Sequence, residues 1–224
     1  DIKSKGFWAG EVWNKRKNGE IYPESLNITS VTKEGNMPSY YVGTFNDITR
    51  SKAADAEIQN LAFYDSLTQL PNRRYLLDQL DRALATSKRS GHRGALLFLD
   101  LDDFKRVNDC NGHSAGDELL KSIAQRFKHA FDLNDTVSRF GGDEFIFSFS
   151  NLDSRETAKQ KVEKLSAVFK ESFIIDGKIL TTDASIGVSM FPSDSSDPET
   201  LIINADIVLY RTKAANKGAV QFWC

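Results

Sequence analysis

Cysteine is nearly absent: Cys110 and Cys224 are the two in 224 residues, too few for a disulfide framework and in keeping with a reducing compartment. A charge excess is missing too. Lysine and arginine number 29 against 31 acidic residues, a formal net charge of -2, so the chain carries no electrostatic footprint for nucleic acid, and a polyanionic ligand must bring or find its own cations. Apolar runs such as Ala95 to Leu99 fall far below the ~20 residues that cross a bilayer. The opening Asp-Ile-Lys-Ser-Lys is not a signal peptide. The expected setting is the cytosol; because the chain starts without methionine and inside a motif, an upstream portion with its own membrane anchor stays open.

What is present describes a globular protein, with 40% apolar and 27% charged residues. The length allows one ordinary domain plus an appendage, or two small ones. Residues 10 to 49 alternate apolar and polar positions in three short segments, punctuated by Asn18-Gly19 and Glu34-Gly35-Asn36, which predicts a three-stranded antiparallel meander. Trp8, Trp13 and the tyrosines are expected to pack that sheet. From Arg50 the pattern turns helical, with Ala54, Ile58 and Leu61 at four- and three-residue steps. Either a dimerising coiled-coil stalk or a connector packed on its own domain fits so short a stretch.

Pro71 ends that helix and Asn72 is placed to cap the next, whose apolar face is Leu76, Leu77, Leu80 and Leu84. A polar loop is expected from Thr86 to Arg93. Ala95 to Leu99 reads as a buried strand. A short helix from Phe104 to Asp109 and a longer one from Ser114 to Ala130 follow. A helix over residues 153 to 171 has a capping box of Asp153 with Glu156, Asp176-Gly177 turns a hairpin, Ala184 to Met190 is a strand, and Asp197-Pro198 opens the last helix.

Two places carry chemistry. Arg139 to Phe145 reads Arg-Phe-Gly-Gly-Asp-Glu-Phe between apolar residues, a tight hairpin whose glycines, Gly141 and Gly142, let phosphate or ribose approach the backbone. The buried strand ends in Asp100-Leu101-Asp102-Asp103, and an ionised carboxylate at such a place needs compensation. If hairpin and strand are neighbours, Asp100, Asp102, Asp103, Asp143 and Glu144 cluster. Hard oxygen ligands of this kind suit Mg²⁺, or Mn²⁺, arriving on phosphates.

As a set, Asp65-Ser-Leu-Thr68, Leu70 to Arg74, Leu97 to Lys105, Asn108-Asp109, Gly112-His113, Gly116-Asp117, Arg139 to Phe145, Ser185 to Gly187, Ala205-Asp206, Leu209-Tyr210 and Lys213 resemble the GGDEF domain of diguanylate cyclases. The run from Gly10 to Pro23, closing with Asp47 to Arg50, resembles the last three strands of a PAS sensor domain. The resemblances imply a partial PAS domain over residues 1–49, a linker helix over 50–64 and a GGDEF domain over 65–224. The implied fold is α/β (α+β), ferredoxin-like, with a central, mainly antiparallel sheet and flanking helices. The implied reaction condenses two GTP molecules, one per protomer of a homodimer, into cyclic di-GMP. Asp100 and Asp143 then match metal ligands, helped by the main-chain carbonyl of Leu101. Glu144 binds metal or assists proton removal. Asn108 and Asp117 match guanine readers, and Lys105, Lys213, Lys217 and the main chain near Phe104 match triphosphate binders.

Plainer readings stand beside these. Ser114 with Asp117 is also a capping box, Lys213 and Lys217 also complement a helix dipole, and lone His113 is assigned no chemistry. The family's product-inhibition motif, Arg-x-x-Asp, is lacking: its window reads Asp132-Leu133-Asn134-Asp135. Lys217 replaces a usual arginine, and Gln69 stands where glycine is common. Two other functions remain in view: a silent GTP-binding regulator of a neighbouring phosphodiesterase domain, and a PAS-type interaction module.

Overall fold

The computed structural model describes residues 2–32, 38–132 and 135–223, in two compact units, Asp1–Asn60 and Leu61–Cys224. In the first, a one-turn helix α1 (Ile2–Lys5) leads into strands β1 (Phe7–Lys15), β2 (Ile21–Thr32) and β3 (Pro38–Asp47). They pair antiparallel in the order β1-β2-β3, with Trp8 opposite Ile28 and Ile28 opposite Gly43. Gly19, at φ +93°, makes the first turn; the Glu34-Gly35-Asn36 turn lies outside the described residues. The aromatic expectation holds in part. Trp8 lies over Gly10 and Tyr22 under the Arg16 guanidinium, both part-buried, whereas Trp13 is 73% exposed and Tyr40 and Tyr41 are half exposed.

Helix α2 (Thr49–Phe63) buries none of its residues, and Ile58 and Leu61 are exposed.

The second unit holds α3 (Arg73–Ser90), β4 (Arg93–Leu101), α4 (Phe104–Asn111), α5 (His113–Ala130), β5 (Thr136–Gly141), β6 (Glu144–Leu152), α6 (Arg155–Ala167), β7 (Phe173–Ile175), β8 (Lys178–Leu180), β9 (Ala184–Phe191), α7 (Pro198–Ala215) and β10 (Val220–Phe222). Its main sheet runs β10-β9-β4-β6-β5, antiparallel except for the β9–β10 pair. Alternation along β4 sends Leu97 and Leu99 to one face and Leu96 and Phe98 to the other. The first face packs on α5 and α6 through Leu119, Ile123, Phe127, Ala158 and Leu165; the second packs on α3 and α7 through Leu76, Leu80, Leu201, Ala205 and Leu209. Phe127 meets Phe145, Phe147 and Phe169 edge-on at 5.0 to 6.0 Å between ring centres. This is the mixed α/β fold expected.

Local signals held where the chemistry is local. Asn72 accepts the Tyr75 amide at 3.1 Å and Asp197 the Thr200 amide at 2.8 Å. Elsewhere neighbours decided. Burial of Leu84 and Ser87 carries α3 on to Ser90, where Gly91, at φ +76°, ends it, so the expected polar loop shrinks to two residues. The α6 cap is Ser154, accepting from Thr157 at 3.2 Å, and not Asp153. β10 was not anticipated: three residues carry too little pattern to announce a strand.

Candidate active site

The β5–β6 hairpin turns on Gly142 and Asp143, with Gly141 opposite Glu144. Gly142 alone is left-handed, at φ +52°; Gly141 is not, and no atom lies within 4 Å of where either glycine's Cβ would be. The tip is open backbone. Arg139 holds it in place: Nε and Nη2 donate to the Gly142 carbonyl at 2.9 and 2.7 Å, and Nη1 donates to both Asp65 oxygens at 2.9 and 3.2 Å. Burial works against the Asp65 charge, but hydrogen bonds from the Thr68 hydroxyl and amide and from Arg139 hold its carboxyl below the usual range. Neither Arg139 nor Asp65 was a candidate site residue on sequence grounds.

Beside the hairpin runs β4. Asp100 stands opposite Glu144 on one side and Ser185 on the other, and the Leu101 amide donates to the Asp143 carbonyl at 3.3 Å. The two acidic strand ends are therefore neighbours. Asp100 Oδ1 is buried, and its partner and counter-charge is the Lys213 ammonium of α7, 2.5 Å away. Burial pushes the Asp100 carboxyl up, the Asp143 charge adds to that, and Lys213 opposes it. Glu144 is pushed up by burial and then by the charges of Asp100, Asp143 and Asp206. Asp206 is an acid the sequence analysis did not place in the site; α7 brings it there two turns before Lys213.

Among the described residues no three Asp, Glu, His or Cys side chains form a ready metal cage. The donor set nonetheless fits Mg²⁺ or Mn²⁺. Asp100 and Asp143 with the Leu101 carbonyl are hard oxygens, the Asp100 carboxylate is already balanced by a cation, the Lys213 ammonium, and Mg²⁺ commonly keeps waters and shares phosphate oxygens.

The five-carboxylate cluster separates. Asp102 is buried and accepts from Ser185 Oγ and the Gly218 amide. Asp103, at φ +58°, is exposed and pairs with Lys217 at 2.6 Å. Lys217 thus stands at the start of α4, on the residue that precedes it.

On α4, Asn108 rests against buried Gly116 of α5. A Cβ on Gly116 would lie 1.9 Å from Asn108 Oδ1 and 3.2 Å from the Phe104 ring, so a side chain there would push the Asn108 amide aside. Asp117, the residue after Gly116 on α5, is exposed. The capping box does not form: α5 is preceded by Gly112 with no side-chain cap.

In the window before the hairpin, Asp135 is buried against Lys161 at 2.6 Å and accepts the Asp132 amide at 3.3 Å. Leu133 and Asn134 lie outside the described residues.

A family model described as "Diguanylate cyclase, GGDEF domain" matches residues 62–219. The cyclic di-GMP phosphodiesterase NbdA of Pseudomonas aeruginosa is 38% identical over 99% of this chain and 26% of its own length. MucR, a bifunctional diguanylate cyclase/cyclic di-GMP phosphodiesterase of that organism, is 38% identical over 76% of this chain and 25% of its own. The solved GGDEF domain of TpbB, also from Pseudomonas aeruginosa, superposes with a TM-score of 0.70 at 34% identity, covering 72% of this chain and 94% of that one. The chain spans about a quarter of the length of these curated relatives. With the family model matched across the whole second unit except its last residues, and a GGDEF structure superposing on it, the chain belongs to the GGDEF-domain family.

Proposed function

We propose that this chain is a diguanylate cyclase. The 3′ oxygen of one GTP attacks the α-phosphorus of another, the bond to the β-phosphate breaks, and pyrophosphate leaves; two such steps close cyclic di-GMP and release two pyrophosphates. The observation that carries this reading is the pairing of two acidic strand ends, Asp100 opposite Glu144 with Asp143 bonded to Leu101, beside a bare glycine turn. Asp100, Asp143 and the Leu101 carbonyl would hold the divalent cation. When bound, that cation supplies charge neutralisation and activation of the attacking oxygen.

The chain's own residues do the rest. Lys213 neutralises the Asp100 oxygen that the cation would take over. Lys105, Lys217 and the amides near Phe104 gather the phosphates, while Gly141 and Gly142 leave room for them. Asn108 and Asp117 read guanine, since a carboxylate accepts from the two adjacent donors on that base's edge. Glu144 either completes the metal shell or takes the 3′ proton.

Each protomer holds half of the reactants, so turnover needs a homodimer while binding does not. The family also offers a quieter role: GTP binding that regulates a neighbouring phosphodiesterase domain, a reading favoured by NbdA and MucR, whose names include that activity. The first unit fits the closing strands of a PAS domain, and among the described residues no helix is long and apolar enough to cross a membrane, which agrees with a cytoplasmic site of action. Concentrated protein given GTP and Mg²⁺ is expected to yield cyclic di-GMP by chromatography, and Asp143→Ala to yield none. Unreacted GTP at concentrations where the protein is dimeric would favour the regulatory role.

A further inference from the structure

Asp102 lies two residues beyond Asp100 in the same acidic run, yet its surroundings are those of an anchor. Its side chain is 7% exposed. Ser185 Oγ donates to it at 2.9 and 3.1 Å, and the Gly218 amide donates to Oδ2 at 2.8 Å, itself 3.3 Å from Ser185 Oγ. Its backbone is fixed as well, the amide donating to the Asp183 carbonyl at 2.8 Å and the carbonyl accepting from Thr182 Oγ1 at 3.2 Å. Three segments meet on this one carboxylate: the end of β4, the start of β9 and the loop that joins α7 to β10. Gly218 is left-handed at φ +73°, and a Cβ there would lie 2.6 Å from Asp183 Oδ2, so the loop backbone lies close against that carboxylate.

That loop carries Lys217, whose ammonium pairs with Asp103, the residue after Asp102. We propose that Asp102 is a positioning residue and not a metal ligand: it fastens the 216–218 loop to the strand ends, and so places Lys217 on the phosphate side of the site. This rests on the nucleotide reading given above. The anchor is made of hydrogen bonds and not of an ion pair, because Gly218 and Ser185 are neutral donors. An asparagine could keep the arrangement, its oxygen accepting from Gly218 and its amide donating to Ser185 Oγ, which has lone pairs to spare. A Mg²⁺ ligand would not tolerate that exchange, since the ion prefers a carboxylate.

The test compares binding of a GTP analogue, with methylene in place of the α–β bridging oxygen, to wild type, Asp102→Asn, Asp102→Ala, Lys217→Ala and the double Ala variant, each titrated with Mg²⁺. Asp102→Asn should bind within about threefold of wild type. Asp102→Ala and Lys217→Ala should each lose about tenfold, and the double variant little more, because the two act through one path. The Mg²⁺ half-saturation should stay put in all of them. A Mg²⁺ requirement displaced in Asp102→Asn as far as in Asp100→Asn would overturn the proposal, and so would strictly additive losses. Should Asp102→Ala not fold, Ser185→Ala removes one donor and should give a smaller loss in the same direction; no loss there counts against the anchor. If the wild type binds no analogue, the nucleotide reading falls, and the fastening of the loop is judged by hydrogen exchange: a protected Gly218 amide in wild type and Asp102→Asn supports it, and fast exchange in wild type refutes it.

Discussion

Asp65 and Arg139 form the best-connected ion pair near the turn, partly buried on both sides. Removing the Asp65 charge strands a guanidinium that also holds the Gly142 carbonyl. Asp65→Asn should lower stability by about 1.5–3 kcal/mol at neutral pH. Because the folded-state carboxyl is held below its ordinary value, this stabilisation is present above the unfolded value of ~3.9 and lost as pH falls through the folded one. Urea unfolding at pH 7 and at pH 3 should therefore show the gap between wild type and variant closing at the acid end. A second residue-scale test uses Gly116. Alanine there gains up to ~1 kcal/mol in helix propensity but must displace the Asn108 amide; thermal unfolding should shift little while GTP affinity drops about tenfold. Asp100, Asp143 and Glu144 were legible in the sequence because charge at the end of an apolar run is anomalous wherever it occurs. The Arg139 fork and Asp206 were not, since Asp65 and Glu144, the acids they face, lie more than sixty residues away along the chain.

At the level of elements, α7 lies on β9 at backbone contact. A Cβ on Gly187 would sit 2.0 Å from the Ala205 carbonyl oxygen and 2.6 Å from the Leu209 nitrogen, atoms that cannot swing aside. Gly187→Ala should cost about 1–3 kcal/mol or more by overpacking and move α7 with Lys213 and Asp206, so a fall in melting temperature accompanied by lost turnover is expected. Another joint is Arg126, which donates to the carbonyls of Val168, Glu171 and Ser172 at 2.6 to 2.8 Å and lies over the Phe173 ring at 3.7 Å. It ties α5 to the segment between α6 and β7. Arg126→Ala should destabilise by about 2 kcal/mol, readable in denaturant midpoints. Caps and turns such as Asn72, Asp197 and Asp176-Gly177 could be read from the chain because donor and acceptor lie within four residues. The C-terminal end of α3 and the existence of β10 could not, being settled by buried neighbours and by pairing with β9.

For the whole molecule, the diguanylate cyclase reading proposed above needs two chains for turnover and one for binding. Turnover per chain should fall on dilution while GTP binding per chain stays constant, a comparison made by product chromatography against equilibrium titration across protein concentrations. The ion pair of Asp135 with Lys161 occupies the carboxylate of the missing product-inhibition motif, so added cyclic di-GMP should leave initial rates without noncompetitive inhibition. The open tip of the hairpin has a wider consequence. Since nothing touches the space beside Gly141, folding exacts no penalty there: a descendant could acquire a side chain at that spot, melt at the same temperature, and be dead as a catalyst. Shared architecture and shared chemistry can thus part company through one methyl group.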